Sequence, residues 1–375
     1  MIVWVYLKLN LACKQCLNLH LDYVTHLKKT ESILKARIHD VAERAGVSMK
    51  TVSRVLNREP NVAETTRERV LEAARELRYS PSLAARGLAT SKNFLLALMY
   101  DNVSPSYILK VQQGATNICQ EAGYHLIVHP LRGSLAMSDD DVMAVFERLP
   151  VDGVILTSPL SDNPIILGAL EKLGIRHIAI GASAKTKPES GVQSAVLGID
   201  NFNAARDMTR FLIKSGHRDI GFIKGDKNHL SAKLRYDGFK AEMGAHGLAL
   251  NKNWIVQGNY TFTSGEVAAR DIFSRPERPS AIFASNDDMA AGVMAIAGHM
   301  GISVPDDLSI GGFDDTNTAR ILWPRLSTIR QPAREMGGRA ASVLIDSDFK
   351  SVGPDESQRK FYEHQLVIRE STKAI

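Results

Sequence analysis

Between Arg37 and Asn57 the chain reads RIHDVAERAGVSMKTVSRVLN, and no other stretch limits its fold as tightly. Ile38, Val41 and Ala42 recur at helical spacing, and Gly46 supplies the positive φ that ends a first helix. Ser48 is placed to cap a second helix, in which Val52, Val55 and Leu56 form the buried side. Met49, Lys50, Ser53, Arg54 and Asn57 then point outward. Two short helices around a tight turn, with a polar and basic outer face, make a helix-turn-helix. A major groove admits one such helix, and side chains like Lys50, Ser53, Arg54 and Asn57 can bond base edges or phosphates from it.

These residues resemble the DNA-binding headpiece of the lac-repressor (LacI/GalR) family of transcriptional regulators, whose signature is close to DVAxxAGVSxxTVSRVLN. The match runs almost residue for residue over Asp40 to Asn57 and continues through Thr66, Arg67, Val70, Ala73, Leu77 and Tyr79 into PSLAARGLA at Pro81 to Ala89. The resemblance implies DNA contacts from Ser48, Met49, Lys50, Thr51, Ser53, Arg54 and Asn57. It also implies a hinge helix in which Ala85, Arg86 and Leu88 meet the DNA, with Leu88 wedged into the minor groove. Two positions depart from the pattern. Ala63 stands where a Ser or Thr usually caps the third helix, and Gly87 lies inside the hinge segment beside Leu88.

Charge is unevenly divided. Residues 1–92 hold 16 Lys+Arg against 9 Asp+Glu, whereas the remainder holds 30 against 32. A basic head on a near-neutral body places a polyanionic partner at the N-terminal end. Three cysteines in 375 residues cannot form a disulfide framework, which fits a reducing cytoplasm. Cys13 and Cys16 form a CxxC, but His20 and His26 complete no common zinc spacing, so no metal and no cofactor are expected. The apolar start MIVWVYLKLNLACKQC is interrupted by Lys8 and Lys14, too short for a membrane span and without a basic leader. Residues 1–36 therefore read as a dispensable extension.

From Asn93 onward short apolar runs alternate with amphipathic stretches, the pattern of parallel sheets wrapped by helices. Runs at Leu95–Met99, His125–Val128, Gly153–Leu156, His177–Ile180, Val196–Ile199, Ile220–Ile223, Ala281–Ala284 and Ser309–Gly312 read as strands. Ile108–Glu121, Ala204–Ser215, Ala232–His246 and Met289–His299 read as helices. Eight or so such units exceed one comfortable doubly wound sheet, so two lobes are expected, broadly Asn93 to Ile199 and Asp200 to Arg320, with the chain's last third crossing back.

The family resemblance implies the same fold class: an N-terminal all-α helix-turn-helix headpiece plus an α/β two-lobed periplasmic-binding-protein-like domain. The expected division is 1–36 extension, 37–80 headpiece, 81–92 hinge and linker, and 93–375 an effector-binding and dimerisation domain. Ligands of such folds sit at the carboxyl ends of strands. Tyr100, Asp101 and Asn102 follow the first strand, and Ser158 the third. Arg235 in SAKLRYDGF, Asn286 in SNDDMAAG and Asp314 in GGFDD match effector-holding positions of the family. Phe262 or Trp323 supplies an aromatic face for a sugar. Each has a plainer reading: Arg235 as a surface pair with Asp237, Asn286 as a helix cap, Asp314 as a turn former, Trp323 as core or dimer contact.

No GxGxxG after a strand, P-loop, HExxH or GxSxG elbow is present, and the expectation is a protein without catalytic residues. What the residues and the resemblance together imply is a cytoplasmic, homodimeric repressor of carbohydrate-utilisation genes on a near-palindromic operator. A small carbohydrate would be its effector, and no membrane partner is expected. A purine or nucleoside effector is the alternative within the family. A solute-binding protein of a sugar transporter, the rival from another class, would have an export signal and no basic headpiece.

Overall fold

The computed structural model describes residues 36–56, 59–79, 92–101, 104–131, 133–181, 194–346 and 359–375. The chain forms two compact units, Met1–Ser91 and Lys92–Ile375. Asn57, Ala85, Arg86, Gly87, Leu88, Asn102, Cys13 and Cys16 lie outside the described residues.

In the first unit, α1 (Ile38–Ala45) ends at Gly46, whose φ of 62° is the left-handed conformation that the sequence requires there. Helix α2 (Met49–Leu56) starts under a cap: the Thr51 amide donates to Ser48 Oγ at 3.2 Å. Helix α3 (Glu64–Glu76) starts at Ala63 with no side-chain cap, as the departure from Ser or Thr predicts. Val41, Val52 and Val70, one from each helix, are fully buried, and Ala42, Ala45, Val55, Ala73 and Ala74 close the small core around them. Small and β-branched residues let three short helices approach closely enough to exclude water from a core of this size.

The second unit holds two six-stranded sheets. The first contains β1 (Leu95–Tyr100), β2 (His125–Pro130), β3 (Gly153–Thr157), β4 (His177–Ile180), β5 (Ser194–Ile199) and β11 (Arg359–Tyr362), in the order β11-β5-β4-β3-β1-β2. The second contains β6 (Ile220–Lys224), β7 (Ile255–Gln257), β8 (Ala281–Ala284), β9 (Ser309–Asp314), β10 (Ser327–Arg330) and β12 (Gln365–Val367), in the order β12-β10-β9-β8-β6-β7. Every pairing is parallel except β10 with β12. Parallel strands need helical crossovers, so both faces of each sheet are covered, and strands such as Leu96–Met99 are apolar without alternation.

The helices are α4 (Pro105–Glu121), α5 (Asp139–Glu147), α6 (Pro164–Lys172), α7 (Asn201–Lys214), α8 (Leu230–Ala245), α9 (Phe262–Phe273), α10 (Asp287–His299), α11 (Asn317–Ile321) and α12 (Ala333–Ile345). The chain passes between sheets three times: from β5 to α7, from β10 to α12, and from β11 to β12. Lobe two thus extends past Arg320 to Arg330, further than the apolar runs indicate. Helix α12 and β11 return to lobe one. Helix α12 packs along α4 so closely that a Cβ on Gly114 would sit 1.9 Å from the Arg334 carbonyl oxygen, and one on Gly337 would sit 2.1 Å from that of Val111. Those glycines make the return crossing possible.

Candidate functional sites

On α2, Met49, Lys50 and Arg54 are exposed while Thr51 and Ser53 are half-buried, so the residues expected to read DNA form the open side of that helix. Arg54 Nε lies 3.5 Å from a Glu59 carboxylate oxygen, with both side chains nearly half exposed. A solvated pair of this kind is worth about 0–1 kcal/mol, so it is readily exchanged for a phosphate or a guanine edge. Ser48 spends its hydroxyl on the cap and on Thr51 Oγ1, 3.0 Å away.

Between the lobes of the body lies a partly open cavity. Lobe one contributes Ser104, Tyr107, Ser158, Ile180, Gly181, Gly198 and Ile199 to its wall. Lobe two contributes Asn201, His229, Ser231, Arg235, Tyr260 and Asp314, and the β10-to-α12 crossing adds Gln331. Among the described residues, two hydrogen bonds are seen to cross the cleft beside it. Ser104 Oγ donates to Asp288 Oδ2 at 3.0 Å, and Lys110 Nζ donates to the Asp315 carbonyl.

Arg235 is the centre of the wall, only 5% exposed. Its Nε donates to Asn201 Oδ1 at 2.9 Å, its Nη1 donates to the Ser285 carbonyl at 2.6 Å, and Nη1 stands 3.6 Å from Asp314 Oδ1. The guanidinium also lies 3.6 Å from the Phe313 ring centroid, a cation-π contact. The surface pair with Asp237 does not form, because Asp237 bonds Lys233 and Lys240 instead. Asp314 sits at a φ of 109°, and its Oδ1 accepts from Gln331 Nε2 at 2.5 Å. Burial raises its pKa, opposed by Arg235 and Gln331. Neighbouring Asp315 is held the other way: burial is outweighed by hydrogen bonds from Arg369, Arg330 and Arg320, which lower its pKa.

Of the effector positions expected from sequence, the structure brings Ser158, Arg235 and Asp314 to one cavity. Asn286 stands behind the wall. It caps α10 by accepting from the Met289 amide at 3.0 Å, and its Nδ2 donates to the Tyr260 carbonyl at 2.9 Å, so it holds the aromatic residue rather than lining the space. Asp101 accepts from the Ser134 amide and hydroxyl, and neither it nor Tyr100 lines the cavity. Phe262 is 44% exposed and Trp323 86% exposed, both away from the wall, because each begins or follows a surface helix whose inward positions are taken by Gly265, Ala268 and Ala319. The aromatic faces in the cavity belong instead to Tyr107 and Tyr260. Sequence reading missed these and also Asn201, His229 and Gln331. Ser231, four residues before Arg235, was legible as the same helix face.

Among the described residues, no group of three or more His, Cys, Asp or Glu could hold a metal, and no helix is long and apolar enough to cross a membrane.

A helix-turn-helix unit joined in sequence to a two-lobed ligand-binding fold defines a ligand-responsive DNA-binding regulator. Residues 37–82 match the model of the bacterial regulatory proteins of the lacI family, and 209–372 match a periplasmic binding protein-like domain. The transcriptional repressor PurR of Vibrio campbellii is 32% identical over 345 residues, 91% of this chain and 99% of the relative. The solved lac repressor dimer bound to operator and the anti-inducer ONPF superposes with a TM-score of 0.76 at 25% identity, over 91% of this chain and all of that one. The transcriptional regulator CelR in complex with cellobiose superposes with a TM-score of 0.66 at 27% identity, over 90% of this chain and all of that one. The chain belongs to the LacI family and is a DNA-binding transcriptional repressor.

Proposed function

We propose that the repressor's operator affinity is set by an uncharged carbohydrate held between its lobes. The observation that carries this reading is the charge balance of the cavity. Among its lining residues the one permanently cationic side chain, Arg235, faces the one carboxylate, Asp314, at 3.6 Å. A wall that cancels its own charge offers little to a phosphate, while guanidinium, amide, carboxylate and hydroxyl groups together serve the donors and acceptors of vicinal hydroxyls. The rings of Tyr107 and Tyr260 suit the apolar face of a sugar.

Residues 37–80 are the headpiece, with Lys50, Ser53, Arg54 and Asn57 reading the operator. Residues 81–92 are the hinge, with Ala85, Arg86 and Leu88 at the minor groove. Residues 93–375 form the effector-binding and dimerisation domain, so two headpieces match a near-palindromic operator. The ligand bridges the two walls, biases the lobes towards one arrangement, and thereby shifts the spacing of the Leu88 wedges. A purine or nucleoside is the second reading, favoured by the similarity to repressors named PurR.

The test is a melting-temperature screen against neutral sugars, sugar phosphates, nucleosides and purines, repeated on R235A and D314A. Stabilisation by neutral sugars that both substitutions abolish supports the carbohydrate reading. Stabilisation by purines alone replaces it with the second.

A further inference from the structure

Arg54 is exposed on α2 and offers the same guanidinium to every DNA it meets, so what separates an operator from other sequences is the acceptor that the guanidinium finds. On non-specific DNA that acceptor is a phosphate, which is charged, whereas a guanine edge presents the neutral O6 and N7. A carboxylate fixed beside Arg54 treats the two differently, because it repels the phosphate and leaves the base edge alone.

Glu59 is such a carboxylate. Its Oε2 stands 3.5 Å from Arg54 Nε. That nitrogen lies at the stem of the guanidinium, which leaves the Nη1 and Nη2 end for a bidentate contact. The main chain keeps Glu59 in place. Its amide donates to the Arg54 carbonyl at 3.0 Å, tying it to the end of α2. Its carbonyl accepts from Arg67 Nη2 at 2.8 Å, tying it to α3, and Arg67 Nε in turn lies 3.6 Å from a Glu64 carboxylate oxygen. Pro60 follows and bars Glu59 from the helical region, so α2 cannot run on through it. Both ties are made by backbone atoms, so replacing the side chain leaves the loop where it is and changes only the charge beside Arg54.

We propose that Glu59 is a specificity-determining residue of the headpiece: its carboxylate weakens the contact of Arg54 with phosphate more than its contact with a base edge, and so widens the gap between operator and non-specific DNA. This inference rests on Arg54 reading the operator. Specificity is a difference of affinities, and a repulsive group set against the wrong partner raises it as an attractive one does for the right partner. The effect at each headpiece is modest because the pair is solvated, and it counts twice in a dimer.

The experiment selects an operator for the full-length parent from a random-sequence duplex pool. Fluorescence anisotropy then gives dissociation constants of parent, E59Q, R54A and the double variant for that operator and for a scrambled duplex of the same length, across a salt series. At physiological salt E59Q should tighten binding of the scrambled duplex by roughly 3- to 10-fold and of the operator by less than about twofold, so the ratio between them falls. The salt slope on scrambled DNA should steepen by about one per headpiece, as Arg54 gains a phosphate. In the R54A background E59Q should change neither constant beyond about twofold. Equal tightening of both duplexes, no change in either, or an effect that survives in full in the double variant overturns the inference, while loss of discrimination in R54A keeps the reading of Arg54. If R54A separates operator from scrambled duplex as the parent does, that reading fails and this inference fails with it.

Discussion

Arg54 on the headpiece and Arg235 in the body are the same side chain in opposite circumstances. Arg54 is exposed, loosely paired with Glu59 at 3.5 Å, and free to exchange that partner. Arg235 is buried, with Asn201, the Ser285 carbonyl, Asp314 and the Phe313 ring all holding it in one place. A surface that meets a polyanion needs long, mobile cations whose counter-charges are weak. A cavity that selects a small molecule needs its charge fixed and neutralised before the ligand arrives, so that binding carries little reorganisation. Each region's burial follows from the size of its partner.

The largest test of that contrast is R235A. It leaves Asp314 buried beside an unpaired Asn201, and removing one partner of a buried ion pair costs about 3–5 kcal/mol, so the body should melt several degrees lower. A melting temperature within a degree of the parent would mean that the cavity tolerates the loss much as a surface would. His229 sharpens the comparison through pH. Its folded pKa of about 4 lies below the unfolded value of 6.5, so stability should fall as pH drops from 6.5 towards 4, by up to roughly 3 kcal/mol in all. His177 and His217 are also lowered by burial and add to the parent's slope. The difference between parent and H229Q isolates His229, and parallel pH curves for the two would remove it as a buried neutral imidazole.

R54A should instead leave the melting temperature within about a degree, since exposed substitutions rarely exceed ~0.5 kcal/mol. Its effect should fall on DNA, with operator affinity reduced by about 1–3 kcal/mol and discrimination between operator variants relaxed, read by fluorescence anisotropy. Unchanged discrimination would take Arg54 off the reading face. The smallest effect is expected from A63S, which gives α3 the cap it lacks and should raise headpiece stability by about 1 kcal/mol in a denaturant titration. No gain would show that the Ala63 backbone, at φ −57° and ψ 140°, cannot present a capping hydroxyl.

The headpiece was legible in the sequence almost to the residue, because its information is local. Gly46 ends α1, Ser48 caps α2, and the valines repeat at helical spacing, each within one turn of what it controls. The uninterrupted apolar strands of the body were legible for the same reason, His177–Ile180 and Ala281–Ala284 with their ends in place. Short β7, β10, β11 and β12 were not, since three or four mixed residues form a strand only when a sheet edge waits for them. Arg235 and Asp314 could be named in advance from their motifs. That they meet at 3.6 Å, that Asn286 supports Tyr260 instead of touching the cavity, and that His229 and Gln331 share the wall depended on the parallel strand order of lobe two, which brings residues well separated along the chain to one end of its sheet. Sequence by itself determined which segments curl into helices, which extend, and which end bears the positive charge. Tertiary structure alone decided which polar groups lose water together, because burial and pairing belong to the distance between side chains and not to their spacing along the chain.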